Sequence, residues 1–328
     1  MHRFLSSFMF LLFMAFFLQS CDEELFYNSA IEEEYNNSFK NTENVLKLIN
    51  YKQSNQNTHP KVLYFEEGLF EHKYWMSYTP YPKGKTQFEN PCVAYSEDGI
   101  HWKNIPNNPL DEPEDKLKKY NSDPHLVYNS TTNLLELWFR YADEVNQTEI
   151  IYRMTSNNGV DWSNKEQLLS SNQKNCALYL CPTVMHDGSK YLIWVVNSRK
   201  KAIEYYESEK GDDWKLVRDI KLEYNDNGTT YTPWHMDIIH SKGKYRMVMM
   251  AKGTSTSTQW PLFYSESIDN TEWTTPKIML YPRRGCWDEN FYRSSIVETD
   301  KGYALYYSGK QGDKYYIGVS WALEIGVR

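Results

Sequence analysis

Four copies of one seven-residue pattern, Ser-x-x-(Gly/Asn)-x-x-Trp, constrain this chain more than any other feature. They run from Ser96 to Trp102, Ser156 to Trp162, Ser208 to Trp214 and Ser267 to Trp273, with starts 60, 52 and 59 residues apart. Each follows a short aromatic or β-branched run, such as Val93-Ala94-Tyr95 or Leu262-Phe263-Tyr264. A glycine or asparagine between two strand-like runs marks a hairpin, and the tryptophan would open the next strand. A second ruler keeps step with the first. Strand-like runs begin at Lys61, His125, Thr183, Asp237 and Ser295, and each is followed by a turn and a very apolar run such as Leu137-Trp138-Phe139 or Leu192-Ile193-Trp194. Five first strands, five second strands and four Ser…Trp turns predict an all-β chain folded as a five-bladed β-propeller. A β-sandwich of similar strand count is the rival. Unit five has no Ser…Trp turn of its own, so Val45 to Asn50 is predicted to close the ring as an added N-terminal strand and remove an exposed edge.

The charge balance, 36 basic against 43 acidic residues, argues against nucleic acid as a partner. Aromatics reach 16% in a chain of mean hydropathy −0.71. Amphipathic rings in a polar background suit sheets with sugar-facing surfaces. At the N-terminus, His2 and Arg3 precede the apolar run Phe4 to Leu18, which is short for a bilayer span and suited to a signal peptide. The run ends in Leu18-Gln19-Ser20-Cys21, which resembles a bacterial lipobox, and Asp22-Glu23-Glu24 resembles the surface-export signal of Bacteroidetes lipoproteins. These resemblances imply a signal peptide over 1–20, a lipid on Cys21 that ties the protein to the outer membrane, and a cell-surface location, with inner-membrane retention, which an aspartate after the lipidated cysteine signals in enterobacteria, as the alternative. Residues 21–43 read as an acidic, polar tether and 44–328 as the propeller, expected to be a monomer. The remaining cysteines, Cys92, Cys176, Cys181 and Cys286, fit no zinc spacing and are expected to be structural or free. No metal ligands or cofactor are predicted, and nothing marks an axial calcium ion.

In a propeller the first strand of each blade lines the axis. Lining up the five places His59, Asp123, Cys181, His235 and Arg293 at the entrance, with Thr58, Ser122, Leu180, Trp234 and Tyr292 one step outward. Ionisable groups converging from distant units suggest a functional site. The prolines after His59, Asp123 and Cys181, the five units and the export signal together resemble the five-bladed glycoside hydrolases of family 43 and their relatives in families 32, 62 and 68. The likeness covers residues 45–322. The copies Ser96-Glu97-Asp98-Gly99-Ile100-His101-Trp102 and Ser156 to Trp162 resemble the Asp-box turns of sialidases.

The glycoside hydrolase resemblance implies a base, an acid and a tuning aspartate contributed by separate blades. Asp123 matches one such position. His59 stands where the aspartate base is usual, and Cys181 or His235 stands where the proton donor would be. Other carboxylates near the rim are therefore candidates: Glu89 at the start of a third strand, Asp237 two residues beyond His235, and Glu289 on the loop entering unit five. His59, Asn90, Arg140, Trp234, His235, Tyr292 and Arg293 are candidate substrate contacts. Tyr81 and Trp287 would offer further stacking surfaces, while Arg140, Arg293 and Lys252 would suit a sugar carboxylate. The expected function is that of an exported glycoside hydrolase cleaving a poly- or oligosaccharide in the axial pocket. A non-catalytic glycan-binding lipoprotein and a polysaccharide lyase are the alternatives.

Overall fold

The computed structural model describes residues 35–171, 178–226, 228–254 and 259–326. The predicted signal peptide, Cys21 and Cys176 lie outside them. Five antiparallel sheets follow one another along the chain. Their innermost strands are Asn57–Leu69, Lys119–Asn129, Leu180–His186, Thr229–Ser241 and Asn290–Glu298, which open blades 1 to 5 in turn. The predicted period therefore corresponds to five blades of a propeller. Blade 4 carries an extra short strand, Tyr224–Asp226, folded onto the start of its inner strand.

The second strand of each blade is its most apolar, and Trp75, Trp138 and Trp194 on those of blades 1 to 3 are fully buried. Clusters spanning neighbouring blades bury both faces of these sheets; one joins Met76 and Tyr78 of blade 1 to Tyr306 and Val319 of blade 5. Burial on both faces explains why the runs read as nearly continuous apolar stretches rather than as alternating ones.

Each Ser…Trp copy forms the turn between the third and fourth strands of blades 1 to 4. In the first three, the serine Oγ accepts the glycine N–H: Gly99 at 3.0 Å, Gly159 at 2.8 Å and Gly211 at 2.9 Å. The tryptophan Nε1–H donates to the same glycine's carbonyl at 3.0 to 3.2 Å. Gly159 has φ +75°, and a Cβ there would stand 2.1 Å from the ring of Trp75 in blade 1. The other turns also lean on the preceding blade. The Gly99 carbonyl accepts the Tyr306 hydroxyl of blade 5 at 2.9 Å, and Asn270 of blade 4 accepts Trp194 Nε1–H of blade 3 at 3.1 Å. The pattern thus encodes both a hairpin and a weld between blades.

An N-terminal strand does close the ring, but it is Tyr35–Asn36, which pairs in parallel with Trp321 and Ala322. Residues 45–50, predicted for that place, are not a strand. Val45, Leu46 and Leu48 are buried, and Leu46 N–H donates to the Ile317 carbonyl at 2.7 Å. Asparagine side chains take the next main-chain bonds: Leu48 N–H donates to Asn55 Oδ1 at 2.7 Å, and Asn57 Nδ2 donates to the Leu48 carbonyl at 2.6 Å. With its amides satisfied this way, the segment packs without joining the ladder. Residues 35–43, expected to be tether, instead belong to blade 5. Phe39 is buried, Thr42 N–H donates to Tyr307 Oη at 2.7 Å, and Trp287 Nε1–H donates to the Thr42 carbonyl at 3.1 Å.

Candidate active site

All five inner strands shift register near their starts: between Thr58 and Lys61, Ser122 and His125, Leu180 and Thr183, Pro233 and His235, and Phe291 and Ser294. Such bulges re-aim a side chain. In blades 1 to 3 the re-aimed residue is also left-handed, with φ of +56° at His59, +52° at Asp123 and +52° at Cys181. Backbone strain of this kind, repeated at one level of the axis, is a hallmark of functional positions.

The result is a buried cluster. Asp123 Oδ1 lies 3.6 Å from His59 Nε2 and 3.2 Å from His235 Nδ1. None of these three side chains is more than 2% exposed. His59 Nε2, Asp123 Oδ1 and both nitrogens of His235 have no hydrogen-bond partner. Buried polar atoms left without a partner are costly, at roughly 1–3 kcal/mol each, unless something else engages them. Two imidazoles and a carboxylate, with ligand atoms all within 4.8 Å of one another, fit a divalent cation. The protonation states agree with that fit. Burial pulls the His59 imidazole down to about 3 and lowers that of His235, so both are neutral ligands. Burial opposes ionisation of Asp123, but His59, His235 and Arg293 outweigh it and hold its carboxyl well below the usual range.

Neighbouring groups orient the set, as supporting shells do around bound metals. His59 Nδ1 meets Thr79 Oγ1 at 2.8 Å, which leaves Nε2 facing the cluster. Asp123 Oδ2 accepts Ser122 Oγ–H at 3.1 Å, and Ser122 Oγ in turn accepts Arg140 Nη1–H at 3.1 Å. Arg140 is held by Glu149, whose other carboxylate oxygen accepts the N–H groups of Leu178 and Tyr179 at 2.8 and 3.0 Å. Beneath the cluster, Arg293 Nη1 lies 3.6 Å from Asp123 Oδ1, while its Nη2 meets His125 Nδ1 at 2.9 Å and the Pro182 carbonyl at 3.0 Å. One layer deeper, Lys61 Nζ pairs with both oxygens of Asp237 at 2.8 and 3.0 Å.

One carboxylic acid faces the cluster from the side. Glu89 is 3% exposed, and its Oε1 lies 3.9 Å from His59 Nδ1. Burial, reinforced by the charge of Asp123, pushes its carboxyl well above the ordinary range. Aromatic rings wall the opening. The Tyr292 ring centroid is 4.3 Å from that of His235 and 5.2 Å from that of His59, and Tyr315 packs against both Tyr81 and Tyr292.

Of the residues singled out from sequence, His59, Asp123 and His235 meet directly, Glu89 flanks them, and Tyr292 and Tyr81 wall them. Arg293, expected to touch substrate, lies fully buried beneath the cluster. Arg140 stands behind Ser122. Asp237 is locked to Lys61 below the cluster because two residues along an axial strand means one layer deeper. Asn90 is tied to Tyr51, Glu112 and Asn121, within the base of its loop. Glu289 uses its main chain, donating to Cys286 and accepting from Gln259, and makes no contact with the cluster. Cys181 is a protonated thiol, pushed up to about 12 by burial and back-bonded to Met236. Trp234 stands on the blade 4 rim under Lys252, and Trp287 packs on Tyr307 inside blade 5. Against the expectation of no metal ligands, His59, Asp123 and His235 form a set that could hold a cation. Thr79, Glu149, Tyr315 and Lys310 carried no sequence signal, since only folding brings them near the axis.

The family model for the N-terminal domain of glycosyl hydrolases family 32 matches residues 47–186. An A type blood N-acetyl-α-D-galactosamine deacetylase of Flavonifractor plautii is 24% identical over 292 residues, or 74% of this chain. The chain spans 37% of that relative's length. The crystal structure of an N-acetylgalactosamine deacetylase from F. plautii, bound to blood group B trisaccharide, superposes with a TM-score of 0.73 at 20% identity, covering 84% of this chain and 93% of that one. An exo-1,5-α-L-arabinanase from a bovine ruminal metagenomic library superposes with a TM-score of 0.60 at 9% identity, over 88% and 95% of the two chains. An exo-β-1,3-galactanase from Phanerochaete chrysosporium gives 0.58 at 10%, over 84% and 62%. The chain is a five-bladed β-propeller whose first two blades match the family 32 N-terminal domain model and whose fold is shared with an N-acetylgalactosamine deacetylase and with exo-acting arabinanase and galactanase structures.

Proposed function

We propose that this carbohydrate-active propeller removes an acetyl group from an N-acetylated amino sugar within an oligosaccharide, using a divalent metal. The observation that carries the reading is the buried His59, Asp123 and His235 set with its ligand atoms unpartnered. It occupies the level of the axis where a glycoside hydrolase of this architecture would need acidic side chains. Similarity to a deacetylase supports the choice of reaction.

His59 Nε2, Asp123 Oδ1 and a nitrogen of His235 would hold the cation, which when bound polarises the acetamide oxygen and acidifies water. Glu89 supplies the proton chemistry. As a carboxylate it takes a proton from the attacking water; as an acid it returns that proton to the departing sugar nitrogen. One water and one amide become acetate and an amine. The carboxyl's raised protonation range suits a group that must take up a proton as well as release one. Burial also keeps the Tyr292 phenol protonated, so its hydroxyl can serve as a donor to the sugar.

A second reading, glycoside hydrolysis, rests on the family 32 match across blades 1 and 2. One experiment separates the two. The full chain, stripped with chelator and reloaded with single divalent metals, is incubated with N-acetylhexosamine-containing glycans, and acetate, free amine and reducing ends are measured. Metal-dependent acetate matched by amine supports deacetylation. Reducing ends without acetate overturn it in favour of the hydrolase. Attachment through a lipidated Cys21 remains part of the proposal; labelled fatty acid should enter the native chain and not Cys21→Ala.

A further inference from the structure

Beside the mouth of the candidate site, blades 4 and 5 present two lysines among aromatic rings. Lys252 lies opposite Thr232 at the entrance end of the blade 4 second strand, and Lys310 lies opposite Asn290 at the same end of blade 5. The ammonium of Lys252 is 3.2 Å from the ring centroid of Trp234 and 5.3 Å from that of Trp260. Lys310 Nζ is 5.1 Å from the same Trp260 ring and 5.7 Å from that of Tyr315. The two amines therefore share one indole. No carboxylate among the described residues lies within ion-pair distance of either.

Trp260 is a fixed platform rather than a loose rim residue. Its N–H donates to Asn290 Oδ1 at 3.0 Å, and its carbonyl accepts the Phe291 N–H at 3.1 Å. Two like charges gathered around one ring repel each other. Burial and the charge of Lys310 together draw the Lys252 amine down to about 8. Cation–π contact offsets part of that cost, and an anion between the amines would offset more. In a chain of net charge −7, such a positive spot is a local arrangement and not a general property of the surface. It also adjoins the site, since the Trp234 ring under Lys252 stands edge-on to His235 with centroids 6.3 Å apart.

We propose that Lys252 and Lys310, with Trp234 and Trp260, form an anion-recognising subsite, so that the oligosaccharide processed at the triad carries an acidic group, a carboxylate or a sulfate ester, on a neighbouring sugar. The indoles would stack on that sugar while the amines hold its charge. The role in processing rests on the deacetylase reading; the binding of the acidic sugar does not.

The test has two arms. In the first, acetate release by the metal-loaded full chain is compared for matched N-acetylated oligosaccharides that are neutral, uronate-bearing or O-sulfated. A charge-assisted contact predicts an acidic-to-neutral ratio of kcat/KM of about tenfold or more, falling toward one in the Lys252→Gln, Lys310→Gln double variant. A ratio near one in the native chain, or an unchanged ratio in the double variant, overturns the inference. In the second arm, calorimetry measures binding of the same glycans without turnover. Lysine-dependent preference for the acidic glycans, with no acetate released from any of them, sinks the deacetylase reading and leaves the subsite standing. Acetate release with no acidic preference does the reverse. Uronate against sulfate identifies which anion the amines read.

Discussion

At the end of the propeller away from the triad, three of the four seven-residue turns close their own hydrogen bonds, and the turns rest on the preceding blade. At the entrance end, the three clustered side chains come from three blades, and each owes its direction to a bulge in its strand. One end is assembled from local pieces, and in three of its four turns the serine and tryptophan polar atoms are paired, Trp273 Nε1 of the fourth being the exception. The other leaves its most buried nitrogens and oxygens unpartnered. The contrast teaches that stability and chemistry are separated along the axis, so that substitutions at the two ends should fail in different ways.

The largest expected effect is at the entrance. His235→Ala should remove bound metal and lower kcat/KM by about 10³-fold or more, the scale of losing a metal's charge stabilisation. Metal analysis and acetate release on the same sample check it. Full activity with stoichiometric metal would show that the unpartnered atoms serve something else. Next comes the opposite end. Gly159→Ala places a methyl against Trp75 at a left-handed position and should cost about 2–4 kcal/mol of stability. Metal content per folded molecule should not change. If the variant keeps its stability and loses metal, the two ends are not separable.

Smaller effects probe the support around the triad. Ser122→Ala takes away the hydroxyl between Asp123 and Arg140 and should weaken metal affinity by about 10–100-fold, as read by competition with a chromophoric chelator. Unchanged affinity would mean that the bulge alone sets the carboxylate. The mildest effect concerns Glu89 in metal-free protein. Its carboxyl keeps a proton in the folded state beyond the range where the unfolded chain, near 4.5, has lost it. The folded state then binds the extra proton, so this group's contribution to stability falls as pH rises above that value, by at most about 1.4 kcal/mol per pH unit. Glu89→Gln should therefore gain on the native chain as pH rises from 5 to 8 in thermal melts with chelator present. Parallel melting curves would place Glu89 in water rather than against the cluster.

Legibility followed the same division. The turns were readable because serine, glycine and tryptophan sit within seven residues, and their spacing counts blades directly. The entrance level was readable too, since aligning strand starts singles out His59, Asp123 and His235. The chemistry was not. Metal motifs are recognised by short spacings, and the proposed ligands are dispersed over three blades, so the sequence presents two histidines as replacements for missing acids. Asp237 shows a second limit. Alternation along a strand tells which side chain faces the axis, but not that Lys61 from another blade neutralises it one layer down. The ring seam was placed at Val45 to Asn50 because an apolar run reads as strand; Asn55 and Asn57, which claim that segment's main-chain bonds, left no such mark. Tyr35–Asn36 is too short to announce itself.

That seam has a consequence in time. Lys40 N–H donates to Ser320 Oγ at 3.0 Å, a bond joining residues 280 positions apart. Synthesis delivers the N-terminal partner first and the C-terminal one last. Until residues near Trp321 emerge, the tail has no edge to dock on and the ring stays open. The nascent protein therefore spends nearly its whole manufacture as an unclosed arc with strand edges free to pair with other chains. Closure is the last step of assembly, and the interval before it is when this chain most needs to be kept from its neighbours.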